Sequence, residues 1–184
     1  MRLEIERKFL VRDEGWRAHC ARQHEIRDGL IAIAEGRKVR VRICDRNATL
    51  TIKTKTESLA NNEFEYEIPL SDAEELLAHH CLRDPLAKTR CVVPHGGHVW
   101  HVDVYKGILT GVVLAEIELP SETAAFVLPP WIGREVTGNP DYKKANMVDR
   151  LMGTVASSAA GWPHGAAKSI DEDKTPYLRR LVMQ

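Results

Sequence analysis

No apolar run in this sequence comes close to spanning a bilayer: the longest, such as Val112 to Ala115, end after a few residues. The first residues are charged where a secretory signal would need its apolar core, so a soluble cytoplasmic protein is expected. Net charge is absent too. Lys plus Arg and Asp plus Glu each number 26, which removes the bulk basic excess of a nucleic-acid or acidic-membrane binder and leaves only a local basic site. The cysteines, Cys20, Cys44, Cys81 and Cys91, form no C-x-x-C pair, suit neither a zinc site nor a small disulfide scaffold, and are expected as reduced, mostly buried thiols. The histidines, including His79, His80, His95, His98 and His101, have no zinc spacing with a partnering Cys or Glu and read as solvated or core residues. "GLIAIAEGRK" is no phosphate loop, and no solenoid-period repeat is present.

What is present is a chain of 184 residues, 43% hydrophobic, long enough for one domain with a substantial core. Alternating segments rich in β-branched residues fall at about 2 to 11, 26 to 34, 38 to 45, 48 to 56, 63 to 69, 86 to 94, 98 to 106 and 112 to 119. Helices are expected from Ser71, with Glu74 completing a capping box, from Ser121, and over about 141 to 152. Trp100 and Trp131 read as packing between sheet and helix. After Gly153 the composition turns small and polar. We therefore divide the chain into a domain over 1–153 and a tail over 154–184, a linker followed by either a short docking helix or loosely ordered chain.

The strands share one pattern. Glu4, Glu6 and Lys8 alternate in "EIERKFLV", and Arg40 and Arg42 in "KVRVRI". Lys53 and Lys55 do so in "TIKTK", Glu63, Glu65 and Glu67 in "EFEYE", Lys88 and Arg90 in "AKTR", and Glu116 and Glu118 in "AEIEL". Period-two spacing puts each set on one face of its strand, with apolar residues such as Val41 and Ile117 on the other. A single pair of this kind is ordinary solvated surface. Here the strands are largely segregated into acidic ones and basic ones, whereas a solvated face mixes both signs. An antiparallel sheet closed with its polar faces inward gathers these side chains around a hydrated channel. The expected architecture is α+β: a closed eight-stranded antiparallel β-barrel with a charged interior and helices packed outside. Carboxylates suit Mg²⁺ or Mn²⁺, while Arg and Lys suit phosphate oxygens, so the mixture points to a substrate of several linked phosphates with a divalent metal.

The ordered series "EIERKFLV", "VRVRI", "TIKTK", "EFEYEIP", "KTR", "VDVYKG", "AEIEL" and "WIGREVTGNPDYKKANM" resembles the CYTH, or triphosphate tunnel metalloenzyme, family over residues 1 to about 152. The resemblance implies an eight-stranded tunnel and a bacterial inorganic-triphosphatase-like activity. It implies that Glu4, Glu6 and Glu118, with Glu116 beside them, hold Mg²⁺ or Mn²⁺. It also implies that Lys8, Arg40, Arg42, Lys53, Lys55 and Arg90 grip the phosphates. Glu4, Glu6, Lys8 and Glu118 then carry catalysis, with Glu63, Glu65, Glu67, Lys88 and Asp103 in support. Arg134, Glu135 and Lys143 are either at the tunnel mouth or ordinary surface charges.

Metal-dependent hydrolysis of inorganic triphosphate, or a related triphosphate or polyphosphate, by in-line attack of water is the leading expectation. The alternatives are a class IV-type adenylate cyclase making cyclic AMP from ATP and a non-catalytic polyphosphate-binding module. The partner is a small-molecule substrate, not nucleic acid or membrane. A homodimer is left open.

Overall fold

The computed structural model describes residues 2–56 and 60–158, with side chains for 4–56 and 60–151; the expected tail lies almost entirely outside the described residues. The strands are β1 (Arg2–Glu4), β2 (Glu6–Val11), β3 (Arg22–Ala34), β4 (Arg37–Cys44), β5 (Asn47–Lys55), β6 (Asn61–Glu67), β7 (Leu86–His95), β8 (His98–Tyr105), β9 (Val113–Glu118) and β10 (Ile132–Glu135). They form one antiparallel sheet in the order β1-β6-β5-β4-β3-β7-β8-β9-β2-β10. The expected closed eight-stranded ladder is not what this pairing gives. The first expected strand is interrupted at Ile5: its front part pairs with β6 and the rest with β9, so one chain segment supplies both β1 at one end of the order and β2 next to the other end. β10 was not anticipated, because "IGRE" is too short to show alternation. Gly133 allows it to lie against β2: a Cβ there would sit 3.2 Å from the Leu10 carbonyl oxygen.

The apolar alternates pack as expected on the outward face. Phe9, Val93, Trp100, Val102, Ala115 and Ile117 form one cluster, closed by Trp16 and Trp131. Trp131 meets Trp100 edge-on with ring centroids 6.0 Å apart. A second cluster joins Val41, Ile43 and Ala48 to Ala73 and Leu77 of helix α1 (Leu70–His79). Gly29 permits that approach, since any side chain there would collide with Leu77 and Cys81.

The helices depart from the expected ones. Helix α1 starts one residue before Ser71 and has no side-chain cap; Glu74 pairs with Arg27 at 3.3 Å instead of closing a capping box. The segment from Ser121 makes only a turn, bracketed by Pro120, Pro129 and Pro130, while Phe126 is drawn onto Phe9 and Trp100. The third helix is a 3-10 turn (Pro140–Tyr142) followed by α2 (Lys144–Ser158), which runs on through Gly153.

Nor do all helices lie outside. Leu10 and Leu114 share the face of Lys8 and Glu116, and together with Tyr105 they receive Met147, Val148 and Leu151 of α2. The charged face thus turns apolar at one end of β2 and β9, and α2 seats there. Cys20 and Cys91, expected as thiols, are joined as a disulfide with Cα atoms 5.7 Å apart, because the β3–β7 pairing brings together residues 71 positions apart; Cys44 and Cys81 are free. No described helix is long and apolar enough to cross a membrane.

Candidate functional site

The inward alternates of β1 through β7 and β9 surround a cavity of about 1140 Å³. Glu4, Glu6, Lys8, Arg40, Arg42, Lys53, Glu63, Glu65, Arg90, Glu116 and Glu118 all line it, so most of the charges singled out by period-two spacing converge on one space. Lys55 and Glu67, each the last residue of its strand, do not line it. Lys88 and Asp103 lie beneath the lining, almost wholly excluded from solvent. Of the three charges near the chain's third helix, Lys143 lines the cavity, Arg134 hydrogen-bonds the Tyr142 hydroxyl at 3.3 Å, and Glu135 pairs with Arg7.

The carboxylates divide into two groups by what faces them across the strands, a cation or another carboxylate. Glu116 is buried and engages two cations: Lys8 Nζ at 3.0 Å and Arg90 Nη2 at 2.8 Å. Burial works against its charge, yet Lys8, Lys144, Lys88 and Arg90 hold its carboxyl well below the usual range. Burial likewise opposes the Lys8 ammonium, but Glu116 and Glu6, the latter at 3.4 Å, raise it above an ordinary lysine. Asp103 anchors Arg90 through paired bonds of 2.7 and 2.8 Å and also takes the Lys88 ammonium. On the basic strands, Lys53 sits 2.5 Å from Glu4 and 3.5 Å from Glu63, and Arg40 lies 3.7 Å from Glu63. Arg40 Nε is buried with no hydrogen-bond partner among the described residues, so a cavity-lining guanidinium keeps a donor unused.

The second group is Glu6 and Glu118. They stand directly opposite one another in the β2–β9 register, with Lys8 and Glu116 opposed two residues further on. Like charges so placed repel across the strands unless a cation lies between them. Both line the cavity, and their oxygen-only chemistry fits a hard divalent ion.

Two important residues escaped the sequence reading. Asp28 of β3 is buried and grips Arg42 through bonds of 2.7 and 3.2 Å. Only its place opposite Arg42 reveals it, since the residues two positions either side of it, Ile26 and Leu30, carry no charge. Lys144, first in α2, lines the cavity 3.7 Å from Asp28. Burial first, and then repulsion by Lys88, pushes its ammonium down to about 7 despite Asp28 and Glu116. The helical period of "DYKKANM" gave no hint of an inward lysine, because α2 enters the sheet's charged face from its end.

Comparison with known proteins matches residues 2–151 to the CYTH domain. An inorganic triphosphatase of Acetivibrio thermocellus is 40% identical over 145 residues, covering 79% of this chain and 92% of that protein. One from Nitrosomonas europaea is 32% identical over 145 residues, covering 76% of this chain and 93% of that protein. A crystal structure of an inorganic triphosphatase, 30% identical, covers 80% of this chain and 95% of its own with a TM-score of 0.57.

Proposed function

Because the chain belongs to the CYTH family, we propose that it hydrolyses a phosphoric anhydride bond of inorganic triphosphate inside the charged cavity, together with Mg²⁺ or Mn²⁺. The observation that carries this reading is the lining itself: cations positioned by buried carboxylates, facing an opposed pair of glutamates, in one space of about 1140 Å³. We read the first strand, shared between β6 and β9, as the seam of a tunnel.

In this reading Lys8, Arg40, Arg42, Lys53 and Arg90 bind the phosphate oxygens, with Lys144 added from α2. Glu6 and Glu118, with Glu4, would hold the metal ion, while Glu116 and Asp103 fix Lys8 and Arg90 in place. An ion held by these residues would supply neutralisation of phosphate charge and a lowered pKa for bound water. The nucleophile is water, because no Ser, Thr, Cys or His lines the cavity among the described residues. The cations neutralise charge on the terminal phosphoryl group as water attacks in line and pyrophosphate departs. The acidic strands disfavour a nucleic-acid backbone, so the partner is a small molecule.

The test is a panel of tripolyphosphate, pyrophosphate, ATP and thiamine triphosphate with Mg²⁺ or Mn²⁺, followed by phosphate release and cyclic AMP formation. Phosphate is expected chiefly from tripolyphosphate. Cyclic AMP from ATP would support a cyclase instead, and tight tripolyphosphate binding without turnover would support a binding module.

Lys144 adds a pH prediction. In the free enzyme its charge is lost as pH rises through about 7, while a bound polyanion favours the ammonium form. Tripolyphosphate binding above that pH should therefore take up a proton, and KM should climb with pH. Lys144→Arg, charged throughout, should flatten the profile; an unchanged slope would separate Lys144 from substrate binding.

A further inference from the structure

Beyond the charged cavity, the described residues hold one group of mixed metal-ligating side chains: His24 of β3, Cys44 at the end of β4, and Asp45 in the turn that follows. One ligand atom from each lies within 4.8 Å of the others. His24 Nδ1 stands 2.7 Å from Asp45 Oδ2, and the other Asp45 oxygen accepts the Glu25 backbone N–H at 2.9 Å, which orients the carboxylate. Asp45 adopts a left-handed backbone with φ of 55°, a conformation that Asp tolerates better than most residues. His24 and Cys44 are half-buried and Asp45 is exposed, so solvent and ions can reach the group.

None of the three lines the main cavity, although they continue its inward face. Cys44 pairs with Ile26, and His24 with Arg90, in the strand register. Arg42 and Arg90 therefore separate the group from the cavity, and their charges are matched by Asp28, Asp103 and Glu116. The donor chemistry also differs from that of the cavity. Carboxylates alone suit hard ions, whereas thiolate and imidazole together select borderline transition metals over Mg²⁺.

We propose that His24, Cys44 and Asp45 form a second metal site, at the end of the sheet beyond Arg42 and Arg90, for a borderline divalent cation of the Zn²⁺ class. Three protein ligands and one water complete the tetrahedral coordination usual for that ion. Binding exchanges the hydrogen bond between His24 and Asp45 for two metal bonds, with the neutral imidazole carrying its proton on Nε2 so that Nδ1 is free to ligate, and releases the Cys44 thiol proton to solvent. The metal takes the thiolate and not the thiol, so affinity rises with pH.

The experiment is titration of the full chain with Co²⁺, read by absorption. A sulfur-to-cobalt charge-transfer band should grow in the near ultraviolet, saturate at one ion per chain, and bleach when Zn²⁺ is added. Co²⁺ held by the cavity carboxylates gives no such band, so the outcome is independent of the proposed hydrolase activity. Cys44→Ser should remove the band, Cys81→Ser should keep it, and His24→Ala should weaken Co²⁺ binding by at least on the order of tenfold. No band in the wild type, a band that survives Cys44→Ser, one lost in Cys81→Ser, or unchanged affinity in His24→Ala would each overturn the site.

Discussion

Glu118→Gln is expected to lower turnover of tripolyphosphate by on the order of a hundredfold or more, the loss typical when a preorganised electrostatic contact disappears from a transition state. The amide keeps the shape and reach of the carboxylate but removes one of the two charges opposed across β2 and β9. Lys8, Arg40, Arg42 and Arg90 remain, so binding of tripolyphosphate should persist and the loss should appear in kcat, not in KM. Because Glu118 is exposed at the cavity edge, the variant should unfold within about 0.5 kcal/mol of the wild type. Glu116→Gln supplies the contrast. Its carboxylate is buried between Lys8 and Arg90, so that variant should lose stability as well as rate. A chelator should abolish wild-type turnover, with recovery on addition of Mg²⁺ or Mn²⁺. Wild-type phosphate release in a folded Glu118→Gln protein would remove Glu118 from the metal site.

The second large effect concerns the fold. Asp103→Ala leaves the Lys88 ammonium buried with its nearest counter-charge gone and strips Arg90 of both its paired bonds. Removing one partner of a buried charge network costs about 3–5 kcal/mol, which for a chain of this size lowers Tm by roughly 6–20 °C. The pH dependence has a definite sign. Burial opposes the Asp103 charge, but Lys88 and the Arg90 hydrogen bonds outweigh it and hold the carboxyl below its usual value. Its stabilisation is therefore complete above the unfolded aspartate pKa of about 3.9 and is lost as pH falls through the folded value. Denaturant melts of wild type and Asp103→Ala should converge in that acidic window and stand furthest apart near neutrality. A constant gap at all pH would show that Asp103 acts by packing alone.

The strands and their polarity were legible because a strand's period is two and the sheet must hide one face. Glu4, Glu6 and Lys8 in one segment, and Arg40 and Arg42 in another, announce a charged face wherever they lie, and the outward partners Val41, Phe9 and Ile117 announce the packed one. The expectation of a polyphosphate together with a divalent metal rests on those side-chain types and needs no coordinates.

Partnership was not legible, because it depends on register between segments far apart in the chain. Only the β2–β9 pairing sets Glu6 against Glu118 and Lys8 against Glu116, making one carboxylate a neighbour of like charge and the other a buried anchor. Only the β3–β4 pairing gives Arg42 its Asp28, and only the seating of α2 on Leu10 and Leu114 brings Lys144 inside. The same holds for the Cys20–Cys91 bond and for the meeting of His24 with Cys44 and Asp45. Local alternation dictates which way a side chain points, since backbone geometry repeats every two residues. What it meets there is decided by tertiary packing, where register is chosen by the whole sheet at once.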